Sequence, residues 1–258
     1  MTETQWNAIS TFRTQFKEQL AIWTKVIDSN NLKELLLTIQ KEGANKDGVP
    51  PYSLDNVLVY NKALDDITKE DSISLIVIGD NPGKEEQLDK NCRYLVGQSG
   101  KIAEGFFKRN PELNTDFRKN VIILNKTPLH TAKTKELSLI KKYNCPILDS
   151  LLLESQIWMA KNTALLHEEL CKEHSDSCQL WLVGYGELKE KGLFLPYKKT
   201  LQDFYAYKKT IKEQIFVYQH FSMNRFLIDL NTHSDPKNSL KENLQELGKS
   251  HRLEIFGW

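Results

Sequence analysis

Two rhythms of apolar and polar positions run along the chain. Over residues 6–27, WNAISTFRTQFKEQLAIWTKVI, apolar side chains return at helical spacing, and LKELLLTIQKE over 32–42 repeats the pattern. The stretch GANKDGVPPYSLDN, rich in Gly, Pro and Asn, then breaks the helices. Beyond it come four short apolar runs: Ile73–Ile78, Val121–Leu124, Leu180–Val183 and Ile215–Tyr218. Each is continuous rather than alternating, which predicts strands covered on both faces. Helical stretches over roughly 99–108, 147–173 and 198–212 separate the runs. This βαβ rhythm predicts a three-layer α/β/α fold with a central four-stranded parallel sheet plus N-terminal helices. Residues 1–65 read as an N-terminal helical segment packed on the core, and residues 66–258 as the α/β domain.

Composition narrows the class. With 258 residues, 40% of them hydrophobic, the chain is long enough to bury a sizeable core. No apolar run approaches the roughly 18 residues that a membrane span needs. The N-terminus has no apolar signal region, so the expectation is an intracellular, cytoplasmic protein that works as a monomer without a membrane partner. A net charge of +1 argues against a polyelectrolyte binder as a whole. Between Glu187 and Lys212, however, seven Lys stand against two Glu and one Asp, with Phe194, Tyr197, Phe204, Tyr205 and Tyr207 among them. Such a mixture suits either a nucleic-acid backbone with stacked bases or a solvated helix face beside core aromatics. Cys92, Cys145, Cys171 and Cys178 form no C-x-x-C pair and have no His at zinc spacing, so neither a metal nor an iron–sulfur cofactor is expected.

The strand ends carry the candidate chemistry. The first run closes on Gly79-Asp80-Asn81-Pro82-Gly83, the second on Asn125, the third on Gly184-Tyr185-Gly186 and the fourth on Gln219-His220-Phe221-Ser222. In a parallel sheet these ends share one edge, where open α/β folds bind ligands. Taken singly, Asn81 suits local backbone hydrogen bonds in a turn, and Asn125 must satisfy its amide with a loop or with the edge of a flat heterocycle. His220 alone suits a core or cap position, and Ser99 an N-cap for the helix that follows.

Order and spacing together resemble the uracil-DNA glycosylase superfamily over roughly residues 70 to 228. The motifs are Gly79-x-Asn81-Pro82-Gly83 after a first strand, Val96-Gly97-x-x-Gly100, a strand ending in Asn125, and a late strand ending in His220-Phe221-Ser222. The first motif looks like the GxNPG version of the mismatch-specific and single-strand-selective branches, and the glycine turn resembles that of the iron–sulfur branch. Phe221 replaces the Pro of the family's HPS motif, Leu95 falls where the family has its base-stacking aromatic, and the cluster cysteines are absent. These departures mark a divergent branch.

The resemblance implies a monofunctional, metal-independent enzyme that hydrolyses the N-glycosidic bond of uracil, or a related damaged base, flipped out of DNA. It implies that Asn81 holds the attacking water, with Asp80 as the one nearby carboxylate, and that His220 donates to the base O2 as charge develops there. Gly79, Asp80, Tyr94, Leu95 and Asn125 form the base pocket, with Asn125 reading O4 and N3–H and Tyr94 stacking. Gln98, Ser99, Ser222, Met223, Asn224 and Arg225 contact DNA, and Phe221 or Met223 wedges into the stack. Two other readings stand beside it: a DNA-binding protein of the same fold without catalysis, and an unrelated α/β enzyme acting on a nucleotide or small phosphate. The latter lacks both a Walker A motif and G-x-G-x-x-G.

Overall fold

The computed structural model describes residues 1–172 and 178–258. Four parallel strands, β1 (Leu75–Gly79), β2 (Val121–Asn125), β3 (Gln179–Val183) and β4 (Ile215–Tyr218), form one sheet in the order β2-β1-β3-β4. Their alternating side chains divide two cores. Ile76, Ile78, Ile122, Leu124, Leu180, Leu182, Ile215 and Val217 face one layer, and Leu75, Val77, Val121, Ile123, Trp181, Val183, Phe216 and Tyr218 the other. Both faces are covered, which is why the runs read as continuously apolar.

The first core is closed by α1 (Glu3–Ser29), α2 (Lys33–Lys46), α4 (Pro146–Leu170) and α5 (Leu195–Tyr205). A capping box between Thr2 and Gln5 starts α1. Its buried stripe, Ile9, Phe12, Phe16, Leu20, Trp23 and Ile27, recurs at three to four residues and lies against α4, where Phe16 stacks on Trp158 at 5.5 Å. The N-terminal helices therefore share one core with the sheet.

The second core is closed by α3 (Gln98–Arg109), α7 (Arg225–His233) and α8 (Leu240–Phe256), with the short α6 (Lys209–Lys212) leading into β4. A Cβ on Gly248 would come within 2.8 Å of Phe216 Cβ, so α8 sits directly on β4. The stretch expected as one helix over 198–212 is two, broken at residues 206–208. The expected end of α4 at residue 173 lies outside the described residues.

Topology places the site. The chain leaves β1 for β2 on one side and returns past it to β3 on the other, so the direction of winding switches between β1 and β3. Crevices open at such a switch, beyond the carboxyl ends of the strands.

Candidate functional site

A cavity of about 640 Å³ lies at that carboxyl edge. Asp80 and Asn81 reach it from β1, Asn125 from β2, Gly184 from β3, and Gln219 and His220 from β4. Other segments line it too, among them Leu95 and Ser99 at the start of α3, and Ser222, Met223 and Arg225 before α7. Four strand ends separated by more than 130 residues thus meet around one space.

The turn after β1 aims Asn81. Its Nδ2 donates to Thr131 Oγ1 at 2.8 Å and faces the carbonyls of Thr131, Pro82 and Leu129 at 3.3–3.4 Å. Acceptors on that side fix the amide orientation and leave Oδ1 as the group it offers to a ligand. An amide oxygen in that position accepts a hydrogen bond from water and orients it without removing a proton. Gly79 has a different part from the one expected: a Cβ there would stand 2.4 Å from Asn125 Oδ1. Its bare Cα gives the Asn125 side chain room to lie across the strand. Asn125 is 1% exposed, and its Nδ2 makes no hydrogen bond. A buried donor without a partner is costly, and a ligand carbonyl in the cavity would satisfy it.

His220 is aimed by Ser222, whose backbone N–H donates to Nδ1 at 3.1 Å. Burial, the largest influence, pushes the imidazole pKa below its ordinary value; Lys126 and Arg225 act in the same direction and Asp80 opposes them. The ring is therefore neutral, carries its proton on Nε2, and presents one N–H donor.

The Asp80 carboxylate is not a free base, which corrects its expected catalytic part. Oδ1 pairs with Lys126 Nζ at 2.5 Å, and Oδ2 accepts from the Thr134 hydroxyl at 3.3 Å. The Lys126 side chain is fully buried, with Nζ also 2.6 Å from the Val183 carbonyl and 5.1 Å from the Phe194 ring centroid. A Cβ on Gly184, at φ +87°, would fall 2.6 Å from Asp80 Oδ1, so β3 ends on glycine where the ion pair needs the space.

The expected stacking part of Tyr94 is also corrected. Tyr94 does not line the cavity: it is 1% exposed and its hydroxyl donates to the Val59 carbonyl at 2.6 Å. Leu95 takes the wall instead, turned inward by a left-handed backbone at φ 51°. A Cβ on Gly100 would collide with the Leu95 carbonyl at 1.5 Å, so this tight turn requires glycine at 100. Phe221 is a core residue, 4.9 Å from Phe226 between ring centroids, and cannot act as a wedge. In the basic stretch, Phe194, Tyr197 and Tyr205 are buried in the core and Phe204 packs against it, which gives a solvated helix face beside core aromatics, with Tyr207 alone among the five fully exposed.

Met223 does project. It is 69% exposed with φ 53°, and Asn224 follows at φ 55°. Two successive left-handed residues without glycine hold an apolar side chain at the cavity mouth, a strain often kept for function. Arg225 is exposed beside it and lines the cavity. Asn224 and Gln98 are exposed nearby, and Gly97 rather than Ser99 is the N-cap of α3.

Two parts of the site are missing from the reading of the sequence. The loop 131–135 after β2 forms one wall, adding Lys133 and Lys135 to the rim. Behind it Glu136 is 2% exposed beside Asp47, and burial first, then Asp47, raises its carboxyl to about 7. The second part is Glu86, 7% exposed and lining the cavity. Burial raises it to about 7 against the backbone amides of Gly83 and Leu95, which favour the charged form. The Asn125 amide also leans on this carboxyl and favours its charged form, though outside normal hydrogen-bond geometry.

Glu136 makes stability depend on pH. Its folded pKa lies above the unfolded value, so its contribution is complete below about pH 4.5 and is lost as pH rises through about 7. The Glu136→Gln variant is expected to gain about 2 kcal/mol on the wild type between pH 5 and pH 8, less than the full shift implies because the loop rim is wet. Urea unfolding at both pH values measures it; a difference that does not change with pH would refute this.

Among the described residues no group of His, Cys, Asp and Glu is placed to hold a metal ion, and no helix is long and apolar enough to cross a membrane. The cavity offers a neutral N–H donor at His220, an acceptor at Asn81, a donor at Asn125 and a cation at Arg225, with Lys133 and Lys135 on the rim held to Asp47. No protein-family model, curated protein or solved structure matches the chain.

Proposed function

We propose that this cavity receives a base flipped out of DNA and hydrolyses its N-glycosidic bond, leaving an abasic site. The observation that carries the reading is the convergence of Asn81, Asn125 and His220 on one cavity at the switch point of the sheet. It agrees with the resemblance of the four motifs to the uracil-DNA glycosylase superfamily, and uracil is the first base to consider.

The chemistry follows from the groups. Cleavage leaves an anionic base and a cationic sugar, so rate comes from a donor aimed at the oxygen where charge builds. His220 Nε2–H is such a donor, and its neutral state avoids a proton that would compete with Ser222 N–H for Nδ1. Asn81 Oδ1 holds the water at the sugar, its amide pinned by Thr131. Asn125 Nδ2 donates to a carbonyl of the base and repels an amino group at that position. Lys126 stays bound to Asp80 behind the cavity, so its amine is not free to form a Schiff base at the sugar.

A base inside a duplex cannot reach such a pocket, and extruding it costs a few kcal/mol. Met223 at the mouth fills the gap left in the stack, and the exposed Arg225 neutralises a phosphate beside it. The test is incubation with labelled oligonucleotides carrying uracil opposite guanine, opposite adenine or in a single strand, followed by alkali. A cut at the uracil position is expected. Salt-sensitive binding with no cut on any strand would instead favour a DNA-binding protein without catalysis.

A further inference from the structure

The least expected group in the cavity is Glu86, a carboxyl within a charged turn that the fold nevertheless buries. It has no lysine or arginine bound to it. Arg118, the nearest cation to influence it, is committed to Glu104 at 2.9 Å and to the Leu95 carbonyl at 2.8 Å. Tyr94 lies behind Glu86 with its hydroxyl on Val59. Across the cavity, Asp80 is paired with Lys126, and His220 is neutral. Beside Glu86 stands Asn125, whose Nδ2 has no partner and whose Oδ1 is lodged over Gly79.

Resting on the base-excision reading, we propose that Glu86 and Asn125 together form the specificity device, with Glu86 acting as a carboxylic acid that pairs with the O=C–N–H edge of a lactam base. Its O–H donates to the ring carbonyl, and its C=O accepts the ring N–H, in one cyclic pair. Asn125 Nδ2–H donates to the second lone pair of the same carbonyl oxygen.

Each partner has a separate task. A carboxylic acid alone is ambivalent, because by exchanging donor and acceptor it pairs equally with the N–C–NH₂ edge of cytosine or adenine. Asn125 removes that ambivalence, since its fixed donor meets an amino group as donor against donor. Asn125 alone contacts one atom and leaves the ring N–H without an acceptor in a dry site, a cost that Glu86 removes. The acid form also suits the reaction. A carboxylate would repel the negative charge that the departing base acquires, whereas an O–H donor stabilises it. Burial holds the group near pH 7 in the free protein, so the acid is populated at neutral pH and is lost above it. Uracil and hypoxanthine both present the lactam edge.

The decisive variant is Glu86→Gln, because an amide offers the same donor and acceptor as the acid but does not titrate. kcat/KM is measured from pH 6 to pH 9 on a strand with a single uracil. For the wild type it is expected to fall about tenfold per pH unit above the Glu86 pKa. His220 cannot produce that limb, since its pKa lies below the ordinary histidine value. Glu86→Gln is expected to stay within about threefold of the wild type at pH 6 and to remain flat to pH 9, and Glu86→Leu to lose about 10²-fold. A folded Glu86→Gln that is inactive at pH 6, or that keeps the wild-type alkaline limb, overturns the inference and leaves base excision standing. A wild type that cleaves no strand overturns both.

Discussion

Replacement of His220 by Ala is expected to lower the rate of base release by about 10²- to 10³-fold, with KM changed less than threefold. The size follows from the state of the ring. Burial keeps it neutral, and the Ser222 N–H occupies Nδ1 at 3.1 Å, so Nε2–H is its one donor. That donor meets a carbonyl oxygen in the ground state and an oxygen carrying nearly a full charge at the barrier. The difference between those two interactions appears in kcat, whereas an interaction equal in both states would appear in KM. The residue is partly buried at the cavity wall and belongs to neither core, so the fold should survive, and an unchanged Tm is the control. Single-turnover kinetics on a uracil strand give the number. A loss below tenfold would mean that charge on the departing base is stabilised elsewhere.

Replacement of Lys126 by Met is expected to cost about 3–5 kcal/mol of stability, the largest effect of any single change in the site. Lys126 has a fully buried side chain and Asp80 one that is 9% exposed, and the pair is closed at 2.5 Å. Met fills much the same volume and leaves Asp80 with only the Thr134 hydroxyl at 3.3 Å. Adding Asp80→Asn removes the charge and should recover much of the loss, because a buried ion pair contributes little beyond its own desolvation cost. Urea unfolding of the wild type and the two variants at pH 7 separates these terms. A single-variant loss under about 1 kcal/mol would show that water reaches Asp80.

The sheet was legible because its strands are short apolar runs that stop at polar or glycine residues, signals that depend only on neighbouring residues. The positions of Asn81, Asn125 and His220 at one edge followed from parallel pairing. What could not be read depends on contacts remote in sequence. Lys84-Glu85-Glu86 looks like a solvated turn, and only the packing of Leu95 and Asn125 over it makes Glu86 a buried acid. Lys126 reads as the polar residue after a strand, yet Val183 and Asp80, 57 and 46 residues away, draw it inside. Of Tyr94 and Leu95, both expected in the pocket, only Leu95 lines the cavity, turned inward by a left-handed backbone, and periodicity cannot register a single dihedral. The two cores took Phe221 and most of the aromatics of the basic stretch, as large apolar residues next to strands and helices commonly are.

The most direct test of the base-excision account is the identity of what leaves the DNA. Wild-type protein and His220→Ala are incubated with a uracil-containing oligonucleotide, and the small molecules and the strand are weighed by mass spectrometry. The expected result is free uracil in equal amount to an intact strand bearing an abasic site, with little of either from His220→Ala in the same time. Unaltered strand with no free base, or release of a nucleotide with the backbone cut, would contradict it.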